Sequence, residues 1–304
     1  MAGRGSTMRA NPRSRRFIET RNTVAAYSVL SIFAIIMILP FVIMVSTGLK
    51  PMSELFMVDG FHLFPKNPQP SNYIEAMQSA AWGRYFFNSI FVTFVATAGS
   101  LFINSLGGFS LGVLKYPGRD VLFLLLLIGI MVPFQALIVP QYILLRSIPL
   151  AGGNNLLGRG GTGWLNTYSA LIVPQLAGSF GVFLCRQYFL GVPYELYESA
   201  KVDGAKPMTA FMQIYLPLSK PVLTSLAILK SVHVWNDFFY PLIMTSSDRM
   251  RTVQLGLQTF QGYALNRWDL MMAATTLVAL PIIIAFLLLQ RQFVQSALSS
   301  GLKG

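Results

Sequence analysis

The sequence predicts an all-α integral membrane protein with about six transmembrane helices, and three observations predict it. Of the 304 residues, 54% are hydrophobic and only 11% are charged, against about 25% charged in an ordinary soluble domain. The apolar residues gather into six long runs, each close to the roughly 20 residues a helix needs to cross a bilayer core. The charged residues gather into the tails and loops between them. Such a chain cannot cover a water-facing surface, so its apolar excess must face lipid.

In order, the runs are 24–47, 86–114, 120–145, 168–190, 221–245 and 270–290. The first exceeds the roughly 7–15 residues of a cleavable signal core and no small-residue cleavage site follows it, so it reads as a retained span. Asn88, Asn104 and Gly107-Gly108 interrupt the second. Small residues let helices approach closely and asparagines bond across helix interfaces, so this run is expected to pack against others. Pro133 and Pro140 predict a kink or a re-entrant bend in the third. Cys185, alone in the fourth, excludes a disulfide framework and reads as a small packing residue.

The net charge of +12 does not point to nucleic acid, because no basic stripe interleaves with aromatics. Arg4, Arg9, Arg13, Arg15, Arg16 and Arg21 precede the first run, where they read as a topology signal or an anionic-lipid contact. With the N-terminus inside, fourteen basic residues fall on the inner side and eight on the outer; without the tail the count is eight against eight. The expected topology is therefore N-in and C-in, set by the tail. The expected organisation is a basic cytoplasmic tail over 1–22, a transmembrane domain over 23–291 and a cytoplasmic tail over 292–304.

The inner loop at 191–220 holds the densest charge outside the N-terminus. Pro193 can start a helix, and Glu195 and Glu198 favour its N-terminal half. Leu196, Tyr197 and Ala200 follow at helical spacing. Asp203 and Gly204 come next, the glycine supplying a stop or sharp bend where a side chain would clash. After Pro207 a second short helix can run to about Tyr215, before Pro217 and Pro221 close the unit. A helix–turn–helix with a partly apolar exposed ridge suits docking into a groove of a partner protein.

Within this loop Glu198-Ser199-Ala200, three residues, Gly204, nine residues and Ile214-Tyr215-Leu216-Pro217 resemble the EAA motif of ABC importer permeases. The sole departure is Ser199 in place of the first alanine. Asn88-Ser89, Lys115-Tyr-Pro-Gly-Arg119, Trp164-Leu-Asn-Thr167, Ala170-Leu-Ile-Val-Pro174, Trp235-Asn-Asp237 with Pro241-Leu242, and the ending Ser300-Gly-Leu-Lys-Gly304 are similar, in that order, to the carbohydrate branch. The chain resembles the second permease subunit of the maltose-transporter type, although its ending lacks the alanine often found after the glycine.

The resemblance implies an ABC type I importer permease fold in a bacterial plasma membrane. It implies a coupling helix around Glu198, Ser199, Ala200, Asp203, Gly204, Ile214, Leu216 and Pro217, seated on a cytoplasmic ATPase, with Leu302 and Lys303 as lesser candidates. The implied partners are a second permease, two ATP-binding cassette subunits and an extracellular or periplasmic solute-binding protein. ATP and magnesium would be bound by those ATPase subunits, with no cofactor or metal in this chain. The implied cargo is a sugar or oligosaccharide, or a sugar-like polyol phosphate. In such families either permease can hold the cargo.

Lys230, His233, Asn236 and Asp237 are polar positions in the fifth run. They read as the lining of a translocation path, as interhelical bonding, or as the mark of a shorter span with Asp237 near the outer interface. Phe238, Phe239, Tyr240 and Trp268 read as interface anchors or as sugar-stacking rings, and Trp164 and Trp235 share that ambiguity. His62 lies on a different loop from His233 and no carboxylate cluster accompanies it, so a metal site is not expected. No Gly-rich phosphate loop is present, so the chain is not expected to be an enzyme or its own ATPase. A secondary transporter would carry inverted repeats, and none is read here. Neither it nor a membrane scaffold needs a coupling loop.

Overall fold

The computed structural model describes residues 12–56, 62–261 and 266–301. Among them the chain is helical with no strand. It forms two units: Met1–Ile74 with Arg267–Thr276, and Glu75–Asn266 with Leu277–Gly304.

The first unit is built on α1 (Pro12–Gly48). In its apolar part, Asn22–Gly48, the most apolar 18-residue window has a mean hydropathy of 2.8 and no buried residue, as expected of a helix surrounded by lipid or partner, while Ser46 and Gly48 near its end are buried. After Gly48 and Pro51 come the short α2 (Met52–Leu55) and then α3 (Ser71–Gln78). Asn72 ties off the end of α1, its side-chain amide donating to the carbonyls of Gly48 (3.1 Å) and Lys50 (2.9 Å). The Glu54 carboxylate accepts from the Lys66 backbone N–H at 3.0 Å, tying α2 to the residues that precede α3.

The second unit centres on α4 (Trp82–Gly112), 31 residues long. Next come α5 (Arg119–Met131) and α6 (Phe134–Arg146), bent by 105° at Val132-Pro133. Proline lacks the N–H that would continue α5 and its ring excludes the preceding carbonyl, so the bend read from Pro133 is present. The fourth run becomes α7 (Tyr168–Ile172), a 3-10 turn at Val173–Gln175 and α8 (Ser179–Leu190). The loop at 191–220 contains α9 (Glu195–Val202), α10 (Pro207–Ala210) and α11 (Leu216–Leu218). They lead to α12 (Lys220–Trp235), α13 (Phe239–Met244), α14 (Val253–Gly256) and α15 (Trp268–Gly301). Among the described residues, four stretches are long and apolar enough to cross a membrane, or six when each bent pair counts as one span.

The fifth run differs from the continuous helix expected over 221–245. It stops at Trp235 after 16 residues and resumes at Phe239. Pro241 cannot donate to the Asp237 carbonyl four residues back. Asp237 instead accepts the Tyr240 backbone N–H through Oδ1 at 3.1 Å, capping the new helix.

α4 and α8 pack where the glycines lie. A Cβ added at Gly108 would stand 2.5 Å from the Cys185 Cβ, and one at Gly181 2.5 Å from Asn104 Nδ2. The asparagines bond across helices as expected: Asn104 Oδ1 accepts from the Gly178 N–H at 3.0 Å. Asn88 donates to the carbonyls of Arg249 (2.9 Å) and Arg251 (2.8 Å) and accepts from the Tyr168 hydroxyl (2.6 Å). Trp235 is buried and donates from Nε1 to the Val278 carbonyl at 3.2 Å, which makes it a packing residue. Tyr240 is buried too, its hydroxyl donating to the Ala170 carbonyl at 2.9 Å, so it belongs to the core rather than to an interface belt.

Candidate functional site

The loop at 191–220 folds as two short helical arms around a glycine turn. α9 begins two residues later than proline-at-N1 would place it, after Tyr194, with Glu195 and Glu198 in its first turn and Lys201 in its last. Both signs suit the helix dipole. It ends in a Schellman turn: Gly204 N–H donates to the Lys201 carbonyl at 3.1 Å, and Ala205 N–H to the Ala200 carbonyl at 2.9 Å. Gly204 has φ +80 but nothing within 4 Å of an added Cβ. The glycine is therefore required by its left-handed backbone, and the expected side-chain clash is not the reason.

The second arm starts at Pro207 and widens into a π turn at Phe211–Tyr215, where the Leu216 N–H reaches back five residues to the Phe211 carbonyl. Pro217 has no N–H for the Gln213 carbonyl and its ring would collide with it. A turn with one extra residue accommodates both. The arm then joins α12 through a bend of 77°.

An aromatic floor holds the loop. Phe109 of α4 and Phe189 of α8 meet Tyr215 with ring centres 5.0 and 5.6 Å away. Phe211 and Tyr197 lie 5.4 and 6.1 Å from Phe109. The Lys115 ammonium sits 3.9 Å above the Tyr194 ring. Ala200, Ala210, Phe211 and Tyr215 are buried and Ile214 and Leu216 are half-buried, so part of the motif faces the floor. Burial pushes the Tyr215 phenol above its ordinary range, with Tyr194, Tyr197 and Glu195 adding to the shift.

The other part of the motif faces out. Glu198, Ser199, Asp203, Gly204 and Pro217 are exposed, beside exposed Val202, Met208 and Met212. Between the arms lies an open recess of about 690 Å³. Its walls include Ser199, Asp203, Lys206, Gln213 and Ile214. Leu302 and Lys303 lie outside the described residues, as do 1–11 of the N-terminal tail.

The polar residues of the fifth run separate into two groups. Lys230 is half-buried and donates to Gln175 Oε1 at 3.4 Å, against the 3-10 turn of the fourth run. His233, Asn236 and Asp237 instead border a second recess, of about 650 Å³, together with Phe134 and Gln135 at the start of α6. Gln135 carries no sequence signal of this kind, since a single amide in an apolar run reads as a spacer.

Residues 104–298 match the family described as binding-protein-dependent transport system inner membrane component. The arabinooligosaccharides transport system permease protein AraQ of Halalkalibacterium halodurans is 33% identical over 274 residues, covering 89% of this chain and 93% of that protein. The lactose transport system permease protein LacG of Rhizobium radiobacter is 30% identical, covering 91% and 95%. In three dimensions the chain resembles one from a bacterial ABC transporter involved in the import of the acidic polysaccharide alginate. The TM-score is 0.75 at 20% identity, covering 93% of this chain and 99% of the other. The fold is therefore that of an ABC importer permease, and the chain belongs to the family of binding-protein-dependent transport system inner membrane components.

Proposed function

We propose that this chain is one permease subunit of an ATP-driven importer for a sugar or oligosaccharide, and that its loop at 191–220 couples the importer to ATP hydrolysis. One arrangement supports this most. The EAA-like residues stand on a helix–turn–helix whose floor is fixed to α4 and α8 and whose second arm runs directly into α12. A partner that grips the exposed edge at Glu198 and Ser199 would move the fifth span with the loop. A rigid-body change of this kind needs only different contacts in two states.

In this reading the loop and both tails lie on the cytoplasmic side. The partners are a second permease, a pair of ATP-binding subunits that hold ATP and magnesium, and an external solute-binding protein. Lys230, His233, Asn236 and Asp237 belong to the path side of the fifth span, since exposed polar groups at membrane depth cannot rest against lipid. The sugar assignment is supported by the names of the AraQ and LacG relatives and by the ordered motifs of the carbohydrate branch. A tagged copy purified in mild detergent from its native host should bring down an ATP-binding subunit and a second permease. Recovery of the chain alone, under conditions that keep a known importer intact, would overturn the reading.

A further inference from the structure

The recess between the two broken helices has a chemistry that the coupling role does not use. One wall is the start of α6, where the Pro133 bend exposes Phe134 and Gln135; the other is the break between α12 and α13, with His233, Asn236, Asp237 and Phe239. Its volume, about 650 Å³, lies within the roughly 300–1,000 Å³ usual for small-molecule sites. Gln135 and His233 have no hydrogen-bond partner among the described residues, whereas Asn236 accepts from Gln254 Nε2 at 3.1 Å and donates to the Val232 carbonyl at 3.0 Å. The Asp237 carboxylate borders the recess while accepting the backbone N–H groups of Tyr240, through Oδ1, and of Phe239.

We infer that this subunit itself carries a contact site for an uncharged saccharide in this recess, an inference that rests on the importer reading above. Sugar hydroxyls both donate and accept, and the recess offers amide, imidazole and carboxylate groups able to meet both demands. The less polar C–H face of a sugar ring packs against flat aromatic surface, which Phe134 and Phe239 supply at 40% and 43% exposure. Charge selects the class. Asp237 brings a carboxylate, no lysine or arginine borders the recess, and Lys230 turns its ammonium to Gln175 instead. A uronate or phosphate would meet like charge with no lysine or arginine among the lining side chains to pair with it, since Lys230 acts on Asp237 only from outside the recess. Aromatic and amide groups brought together by two helix breaks are what a neutral sugar needs and what packing against lipid forbids.

The test uses the whole complex, purified with its partners into lipid nanodiscs. Cys185 is this chain's single native cysteine and is buried, so Asn236→Cys, or His233→Cys, gives this chain one accessible thiol, read on its own band after labelling. A maleimide should label it, and arabinotriose or lactose should slow that labelling at least threefold while sn-glycerol 3-phosphate does not. Gln135→Ala should cut neutral-sugar uptake about tenfold at limiting sugar while leaving ATP hydrolysis stimulated by the binding protein within twofold. A thiol that never labels is covered by a partner chain and overturns the site. Labelling indifferent to both sugars also overturns it, and equal slowing by glycerol 3-phosphate overturns the neutral class. A preparation that brings down no ATP-binding subunit fails earlier and sinks the importer reading itself.

Discussion

Gly108 and Cys185 set the separation of α4 and α8: a Cβ on the glycine would stand 2.5 Å from the cysteine Cβ and 2.8 Å from the Arg186 nitrogen. Neither obstacle is the end of a flexible side chain, so larger residues must part the helices. Gly108→Val should cost about 1–3 kcal/mol by overpacking and lower the melting temperature of the purified complex. Gly83, also in α4, faces open space. Gly83→Ala should be neutral or stabilise by about 0.4–1 kcal/mol. Equal melting temperatures for Gly108→Val and wild type would show that α4 and α8 are not packed this closely.

Gly204 offers a test of why the loop at 191–220 carries a glycine. Its φ is +80 and an added Cβ would meet nothing. Gly204→Ala should therefore suffer only the left-handed backbone cost, about 1–2 kcal/mol. Gly204→Asn, which visits that region more readily, should be milder. Gly204→Pro removes the N–H that reaches the Lys201 carbonyl and cannot adopt a positive φ. Sugar-stimulated ATP hydrolysis should fall in the order Asn, Ala, Pro. An alanine variant weaker than the proline variant would mean that crowding by a partner, not backbone conformation, selects glycine here.

The parts of this fold legible in the sequence are those where a residue has only one physical use. Glycines and asparagines inside an apolar run announce close packing, and Gly107-Gly108, Asn88 and Asn104 do pack and bond so. Pro133 announces a bend and Gly204 a turn. The break at 236–238 was less legible, because Asn-Asp in an apolar run fits a path, an interface or a helix end equally well. The stronger signal was Pro241, four residues after Asp237, which removes a hydrogen bond at that point. Pro217 showed that regular helix fails near it but not that the chain widens instead of stopping. Tyr240 reads from sequence as an interface anchor or a sugar-stacking ring, since its burial depends on Phe134 and Ala170, distant in sequence. Gln135 became visible only once the fold set it opposite Asn236.

Tyr215 is fully buried, and its hydroxyl is among the described side-chain groups without a hydrogen-bond partner. Leaving such a group unpaired costs about 1–3 kcal/mol. Tyr215→Phe should therefore be neutral or stabilising in this state, keeping the aromatic floor. Tyr215→Ala should destabilise by about 3–5 kcal/mol through the cavity it leaves. Thermal unfolding of the two variants measures both. If Tyr215→Phe keeps its stability yet transports poorly, the hydroxyl finds a partner in another state of the cycle.

Asn88 joins three groups near the N-terminal end of α4, because one buried side chain satisfies the Arg249 and Arg251 carbonyls and the Tyr168 hydroxyl. Asn88→Ala would orphan all three, at about 1–3 kcal/mol for each that stays dry. Asn88→Asp would keep the acceptor for Tyr168 but turn a carboxylate oxygen toward two carbonyl oxygens, so it should be no better than alanine. Limited proteolysis of the 245–252 segment should accelerate in both variants, while binding of the ATPase subunit at the distant loop stays intact. Loss of ATPase binding with an intact 245–252 segment would instead mean that Asn88 acts through α4 on the loop at 191–220.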